Sequence, residues 1–248
     1  MNNLPIDINC DMGESLGSAI IGQDEKLIPF ITSCNIACGF HGGDPVHIQR
    51  TIRLAITHKV RIGAHPSYPD LEGFGRRKMD IALEELKAIL IYQVAALKGL
   101  VESEGGTLSY VKPHGALYNK ASVEASEAQA IIAALKSIGS NLALMGLAGS
   151  EMEKAANEMD VDFISEAFGD RKYELDGSLM SRSKPDAVFS KVEEVVKQVE
   201  SIVFDKRVET TAGKYISIQA DSICIHGDNP MALEFLKGLH QLVSSNKG

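Results

Sequence analysis

The chain has no excess of basic residues, no long apolar run and few cysteines, and each shortage removes a class of function. Lys and Arg number 25 against 33 Asp and Glu, a net charge of −8. A surface of that sign does not draw nucleic acid or an anionic membrane, so neither is expected as a partner. No apolar stretch reaches the roughly 18 residues of a membrane span. The first residues lack the basic-then-apolar pattern of a secretory leader, so a cytoplasmic address is expected. Four cysteines (Cys10, Cys34, Cys38 and Cys224) lie in or beside apolar runs, where a thiol packs as a small hydrophobe; free thiols in a reducing compartment are expected. Gly-x-x-x-x-Gly-Lys-Ser/Thr and a strand-linked Gly-x-Gly-x-x-Gly are missing. Standard nucleotide folds therefore lack support.

At 248 residues and 44% hydrophobic, the chain can bury the core of one large domain over 1–248. Short apolar runs at 4–10, 31–37, 60–64, 108–111, 142–145, 161–164 and 222–225 read as strands. Helical periodicity fills 44–58, 82–104, 122–138, 150–158 and 186–204. Asp44-Pro45 and Asn229-Pro230 place a capping side chain before a proline, and Gly105 and Gly139 end helices as left-handed caps. Strand–helix alternation implies βαβ units and a parallel sheet. Seven such strands without a linker imply a closed or nearly closed barrel, with a doubly wound open sheet as the other arrangement. Residues 211–225 read as two strands about Ala220-Asp221, a hairpin decorating the barrel's end.

The chemistry gathers at strand ends. Asp7, Asn9 and Asp11 share one face of the first strand by their period of two, and Glu14 follows. A polar face inside a parallel sheet is costly unless it binds something. A calcium loop does not fit, because glycine falls at the wrong position and no glutamate closes it. After the second strand, His41 sits in a glycine-rich loop. Asp44 reads as a helix cap, Cys34 and Cys38 as packing residues, and His47 and His58 as solvent-facing. The third strand delivers His65 and a loop stiffened by proline and loosened by glycine, ending in Arg76 and Arg77, which suit a carboxylate or phosphate. Lys112 and His114 flank Pro113, which breaks the strand alternation so that both reach one pocket. Glu166, Asp170 and Arg171 follow the sixth strand, and His226 and Asp228 the seventh. In a barrel these ends converge on one face, where active sites of that architecture form.

Taken together, segments 7–14, 33–44, 63–77, 111–119, 166–173, 177–182 and 223–230 resemble the LamB/YcsF family, whose members serve in bacterial 5-oxoprolinases. Gly169 stands where that pattern leads one to expect alanine. The resemblance implies an α/β fold, a distorted seven-stranded β/α (TIM-like) barrel of the glycoside hydrolase/deacetylase type. It also implies ATP-dependent opening of 5-oxo-L-proline to L-glutamate, with ATP as Mg-ATP and two other 5-oxoprolinase subunits as partners. A lactam resists water through amide resonance, and phosphorylating its carbonyl oxygen removes that resistance. In this scheme Asp11, His65, Lys112, His114, Glu166 and Asp170 are the catalytic candidates. Asp11 or Glu166 would act as base, and His65 or His114 would move protons. Asp7, Asn9, His41, Arg76, Arg77, Arg171, His226 and Asp228 are the substrate-binding candidates, with Lys112 and the arginines neutralising phosphoryl charge. Two alternatives stay open. One is a metal-dependent amide hydrolase holding a divalent ion on Asp11, His41 and His65, although His41 and His47 are too far apart for a one-turn histidine pair. The other is a non-catalytic subunit that binds the lactam and presents it to its partners.

Overall fold

The computed structural model describes residues 6–139, 141–182 and 184–245. The expected domain limits at 1 and 248, and the start of the strand expected at 4–10, lie outside them. The barrel strands are β1 (Asp7–Met12), β2 (Ser33–Ala37), β3 (Arg61–His65), β4 (Leu108–Val111), β5 (Ala143–Leu147) and β6 (Phe163–Phe168). A two-stranded excursion, β7 (Arg207–Glu209) and β8 (Tyr215–Ser217), precedes the last barrel strand, β9 (Ser222–Cys224). The order β1-β2-β3-β4-β5-β6-β9 closes on itself, and every pairing within it is parallel. The seven expected strands are therefore present in a closed, TIM-like barrel, and the open-sheet arrangement is not adopted.

The alternation read from β1 sorts its side chains as expected. Ile8, Cys10 and Met12 join Cys34, Ile36, Ile62, Ala64, Val111 and Ile223 in the apolar layer beneath the helices. Asn9 and Asp11 point inward to Asn35, Ser222 and Lys112. Gly63 also faces inward; a Cβ there would overlap the ring of Tyr110, whose hydroxyl donates to Asn35 Oδ1 at 2.7 Å across the barrel. The interior is thus filled with polar side chains rather than the usual branched aliphatics.

The helices are α1 (Asp24–Leu27), α2 (Pro45–His58), α3 (Leu83–Ser103), α4 (Gly115–Ala121), α5 (Ala125–Ser137), α6 (Glu151–Glu158), α7 (Val192–Asp205) and α8 (Ala232–Ser245). Asp44 caps α2 as expected, accepting from the amides of Val46 and His47. His58 is exposed, whereas His47 is held by Asp44 at 2.8 Å. Three expectations are corrected. The helix expected over 122–138 is preceded by the separate turns of α4, and the one expected from 186 begins at Val192. The hairpin is β7–β8, turning through Thr211–Gly213, not about Ala220-Asp221. Asp221 instead exchanges hydrogen bonds with the Ser165 backbone, which steers the chain into the barrel as β9. No helix among the described residues is long and apolar enough to cross a membrane.

Candidate active site at the C-terminal mouth of the barrel

Lys112 follows β4 directly, and its side chain enters the barrel axis, 2% exposed. Its Nζ lies 2.7 Å from Glu166 Oε1 and 3.0 Å from Asp11 Oδ1, with Asn9 Oδ1 and Cys224 Sγ at 3.2 Å each. Cys224 therefore packs with the apolar core, as expected, and also meets an ammonium. Burial works against the charged lysine, but Asp11, with Cys224 and Glu166, outweighs it and holds Lys112 well above its ordinary value. Burial likewise pushes the Asp11 carboxyl up, yet His65 and Lys112 together hold it well below the usual carboxylate range. Glu166 Oε2 accepts a 2.7 Å hydrogen bond from the Tyr118 hydroxyl on α4.

Above this ion cluster lies a layer of imidazoles. His65 ends β3, and its Nδ1 donates to Lys112 O at 2.7 Å. His114 Nε2 donates to Phe74 O at 2.9 Å, and its Nδ1 meets His65 Nε2 at 2.9 Å. His41 stacks flat on His114, with ring centroids 3.8 Å apart and planes within 3°. Its Nε2 meets Glu14 Oε1 at 3.2 Å, while its buried Nδ1 has no partner among the described residues. Burial, reinforced by the neighbouring imidazoles, keeps His41 and His114 well below the ordinary histidine range. Burial, and then the charges of Asp11 and Asp228, push Glu14 well above the carboxylate range. Gly75 (φ 66°) makes the layer possible: a Cβ there would come within 2.8 Å of His114 and 2.9 Å of His41.

The two layers floor a cavity of about 870 Å³ whose mouth is cationic, with Arg76, Lys78, Arg171 and Arg182 on its walls. Asp228 bridges Arg76 and Arg182; burial pushes its carboxyl up, but Arg182, His226 and Arg76 bring it below its ordinary value. Arg171 has no carboxylate partner among the described residues. It is 7% exposed, its Nη2 donates to Met180 O at 2.6 Å, and its Nε is unpartnered. Burial and the nearby Arg182 lower its guanidinium to about 10. A buried, unpaired cation in a cavity wall is a standing site for an anion.

The LamB/YcsF family model matches residues 6–248. This chain belongs to the LamB/YcsF family. A Geobacillus thermodenitrificans relative, named as the A subunit of 5-oxoprolinase, is 49% identical over 235 residues, 95% of this chain and 91% of that protein. The crystal structure of a lactam utilization protein from Thermus thermophilus is 39% identical, has a TM-score of 0.91, and covers 97% of this chain and 96% of that one. A family 4 carbohydrate esterase from Streptomyces lividans, 8% identical with a TM-score of 0.50 over 98% of this chain and 90% of that one, shares the fold alone.

In this LamB/YcsF chain the cavity gathers Asp11, His65, Arg76, Lys112, His114, Arg171, His226 and Asp228 from the sequence candidates. His41 and Glu166 sit directly behind that lining, on His114 and Lys112. Four placements differ from expectation. Asp7 shares a face with Asp11 but lies at the opposite, N-terminal end of the barrel, where Thr32, Ser33, Ser222 and Arg61 hold it away from any ligand in the cavity. Asn9 lies one level below Asp11, consumed by Ser222, Asn35 and Lys112. Asp170 is fully buried behind His226 Nδ1, at 2.8 Å, so it orients that ring instead of meeting substrate. Arg77 turns away to clamp Asp70 within its own loop.

The expected metal set is also rearranged. Among the described residues the converging ligand atoms are those of Glu14, His41, His65 and His114, and separately those of Asp11, Cys224 and His226. Asp11, His41 and His65 do not meet as one set. Within the first group His41 and His114 cannot both ligate one ion, because the in-plane lone pairs of two parallel stacked rings cannot point at one centre. Sequence reasoning passed over Glu14, Tyr118 and Arg182 as site residues. Each lay within a stretch already singled out, three past Asp11, four past His114 and at the end of 177–182.

Proposed function

We propose that this chain is the lactam-opening component of a cytoplasmic ATP-dependent 5-oxoprolinase that works with two other subunits. The overall conversion is 5-oxo-L-proline, ATP and two waters to L-glutamate, ADP and phosphate. Relatives named as 5-oxoprolinase components and a structural neighbour named lactam utilization protein support the substrate. The observation that carries the reading is the buried Asp11–Lys112–Glu166 cluster set under an imidazole layer, at the floor of a cavity with a cationic mouth.

Each part suits one demand of the reaction. The lactam carries a carboxylate, and Arg171 with Arg182 offers it guanidinium groups. The carbonyl oxygen takes the γ-phosphoryl group from Mg-ATP, which enters as a substrate, and Arg76 and Lys78 line the same mouth for that charge. Water then adds to the activated carbon. Asp11 is the base, because it lines the cavity, whereas Glu166 is sealed under Lys112 and Tyr118. His65 and Lys112 together keep Asp11 ionised at neutral pH. Cleavage of the C–N bond leaves an acyl phosphate, which a second water hydrolyses.

The test is ADP release and glutamate formation by the chain assembled with its two partners, with and without 5-oxoproline. Lactam-stimulated turnover is the expected result, and no stimulation in the full assembly would remove the reading. Lactam-stimulated ATP hydrolysis by the chain alone would exclude a purely presenting role.

A further inference from the structure

The large apolar side chains left in water gather at one end of the barrel. Among the described residues ten are exposed. Seven of them occupy the connections that leave the strands' C-terminal ends, or the starts of the helices those connections reach: Leu16, Ile20, Val46, Leu71, Leu83, Val123 and Leu175. In a parallel barrel all of these stand around the mouth. Tyr92, Phe204 and Tyr215 lie elsewhere, Phe204 near the end of α7 that reaches the opposite face. Scattered singly, such residues need no explanation; collected on one face, they mark an interaction surface.

The turn that carries Leu16 and Ile20 is held in shape. Leu16 and Ala19 exchange backbone hydrogen bonds at 3.0 and 2.9 Å, and Ser15 Oγ accepts from Ile21 N at 3.0 Å. Gly17 N donates to Asp44 Oδ2 at 2.8 Å, which fastens the turn beside Val46 at the start of α2. Ordering a turn costs conformational entropy. Here the ordered turn turns its apolar side chains to water and not to the core: Ile20 is 72% exposed, and Val46 beside it 74%.

The rim surrounds a cationic cavity, although the chain as a whole carries −8. Arg76, Lys78, Arg171 and Arg182 line a space of about 870 Å³, far more than a single-ring lactam fills. A polyanion complements that charge, and phosphorylating a carbonyl requires water to be shut out of the mouth. Yet the chain has neither phosphate-cradling motif, Gly-x-x-x-x-Gly-Lys-Ser/Thr or a strand-linked Gly-x-Gly-x-x-Gly. We propose that the apolar rim is the docking surface of a partner subunit that carries ATP. The partner sits over the mouth so that the triphosphate enters beside Arg76 and Lys78 while the nucleoside stays with the partner. The nucleotide in this inference rests on the lactam-opening reading, whereas the docking surface does not.

Association of the purified chain with its two partner subunits is measured by analytical ultracentrifugation. Ile20 and Val46 do not line the cavity, so their replacement tests docking apart from chemistry. Ile20→Glu with Val46→Glu should weaken association at least about thirtyfold, and Phe204→Glu less than about threefold. Tm should be unchanged in both, because the positions are exposed. Wild-type association in the rim variant, an equal loss in Phe204→Glu, or no association of the wild-type chain with either partner would overturn the docking surface. So would a self-associating wild-type chain that the rim variant renders monomeric, since the rim would then belong to a second copy. Calorimetry with ATP tests the nucleotide's place: the assembly should bind ATP at least about tenfold more tightly than the partners without this chain. No such tightening, or equal affinity in the isolated chain, would overturn it. An assembly that forms through the rim but does not turn over lactam would remove the functional reading and leave the docking surface standing.

Discussion

Replacing Lys112 by methionine tests how the barrel interior is held together. The side chain is 2% exposed and touches two carboxylates, at 2.7 and 3.0 Å. Methionine fills most of the space but leaves Asp11 and Glu166 buried without their cation. Removing one partner of a buried ion pair costs about 3–5 kcal/mol. For a chain of this size each kcal/mol shifts Tm by about 2–4 °C, so a fall of roughly 6–20 °C is expected. The pH dependence carries the sharper test. In the wild type the Asp11 carboxyl is depressed, so its stabilising contribution is complete above an unfolded value near 4 and is lost as pH falls through the folded value. Without Lys112 that depression shrinks. K112M should therefore be most destabilised near pH 7.5, and the gap to wild type should narrow only below about pH 4, towards pH 3. Urea denaturation at both pH values measures it, and adding Asp11→Asn to K112M should restore part of the loss. A K112M protein as stable as wild type, or a gap equal at both pH values, would refute the reasoning.

Gly63→Ala should destabilise by about 1–3 kcal/mol or more in thermal denaturation, because the new methyl overlaps the Tyr110 ring inside a closed barrel; Tyr110→Ala in the same chain should relieve part of it. Arg171→Met should leave Tm unchanged or higher, since it removes a buried cation without a carboxylate partner, while KM for 5-oxoproline rises at least about tenfold; an unchanged KM would remove Arg171 from the anion site. Burial pushes the Asp170 carboxyl up but His226 brings it below its ordinary value, so its contribution is present above about pH 4 and lost below it. Asp170→Asn should accordingly lie below wild type in stability at neutral pH and converge with it in acid, as followed by denaturation across pH.

Much of the fold was legible because the relevant rules are local. The polar and apolar alternation of β1, the cap at Asp44 and the proline after Lys112 each act within a few residues. The missed turns of α4 and the misplaced hairpin were decided by contacts from afar, Tyr118 reaching Glu166 on β6 and Asp221 exchanging bonds with Ser165. Within the site, adjacent residues met opposite fates. Arg76 reaches Asp228, 152 positions away in the chain, whereas Arg77 folds back on Asp70.

From the sequence alone, then, came the parallel barrel, the strand ends that bear chemistry, and the face on which Asp7, Asn9 and Asp11 lie. The pleat of a strand sets that face within two residues, so no other part of the chain is needed. Height along the barrel axis is another matter, because it depends on how seven strands stagger as they close. Only the closed barrel sends Asp7 to the bottom, buries Asn9 midway and leaves Asp11 at the cavity floor. Only there do His65 and His114, 49 positions apart, bring their ring nitrogens to 2.9 Å from each other.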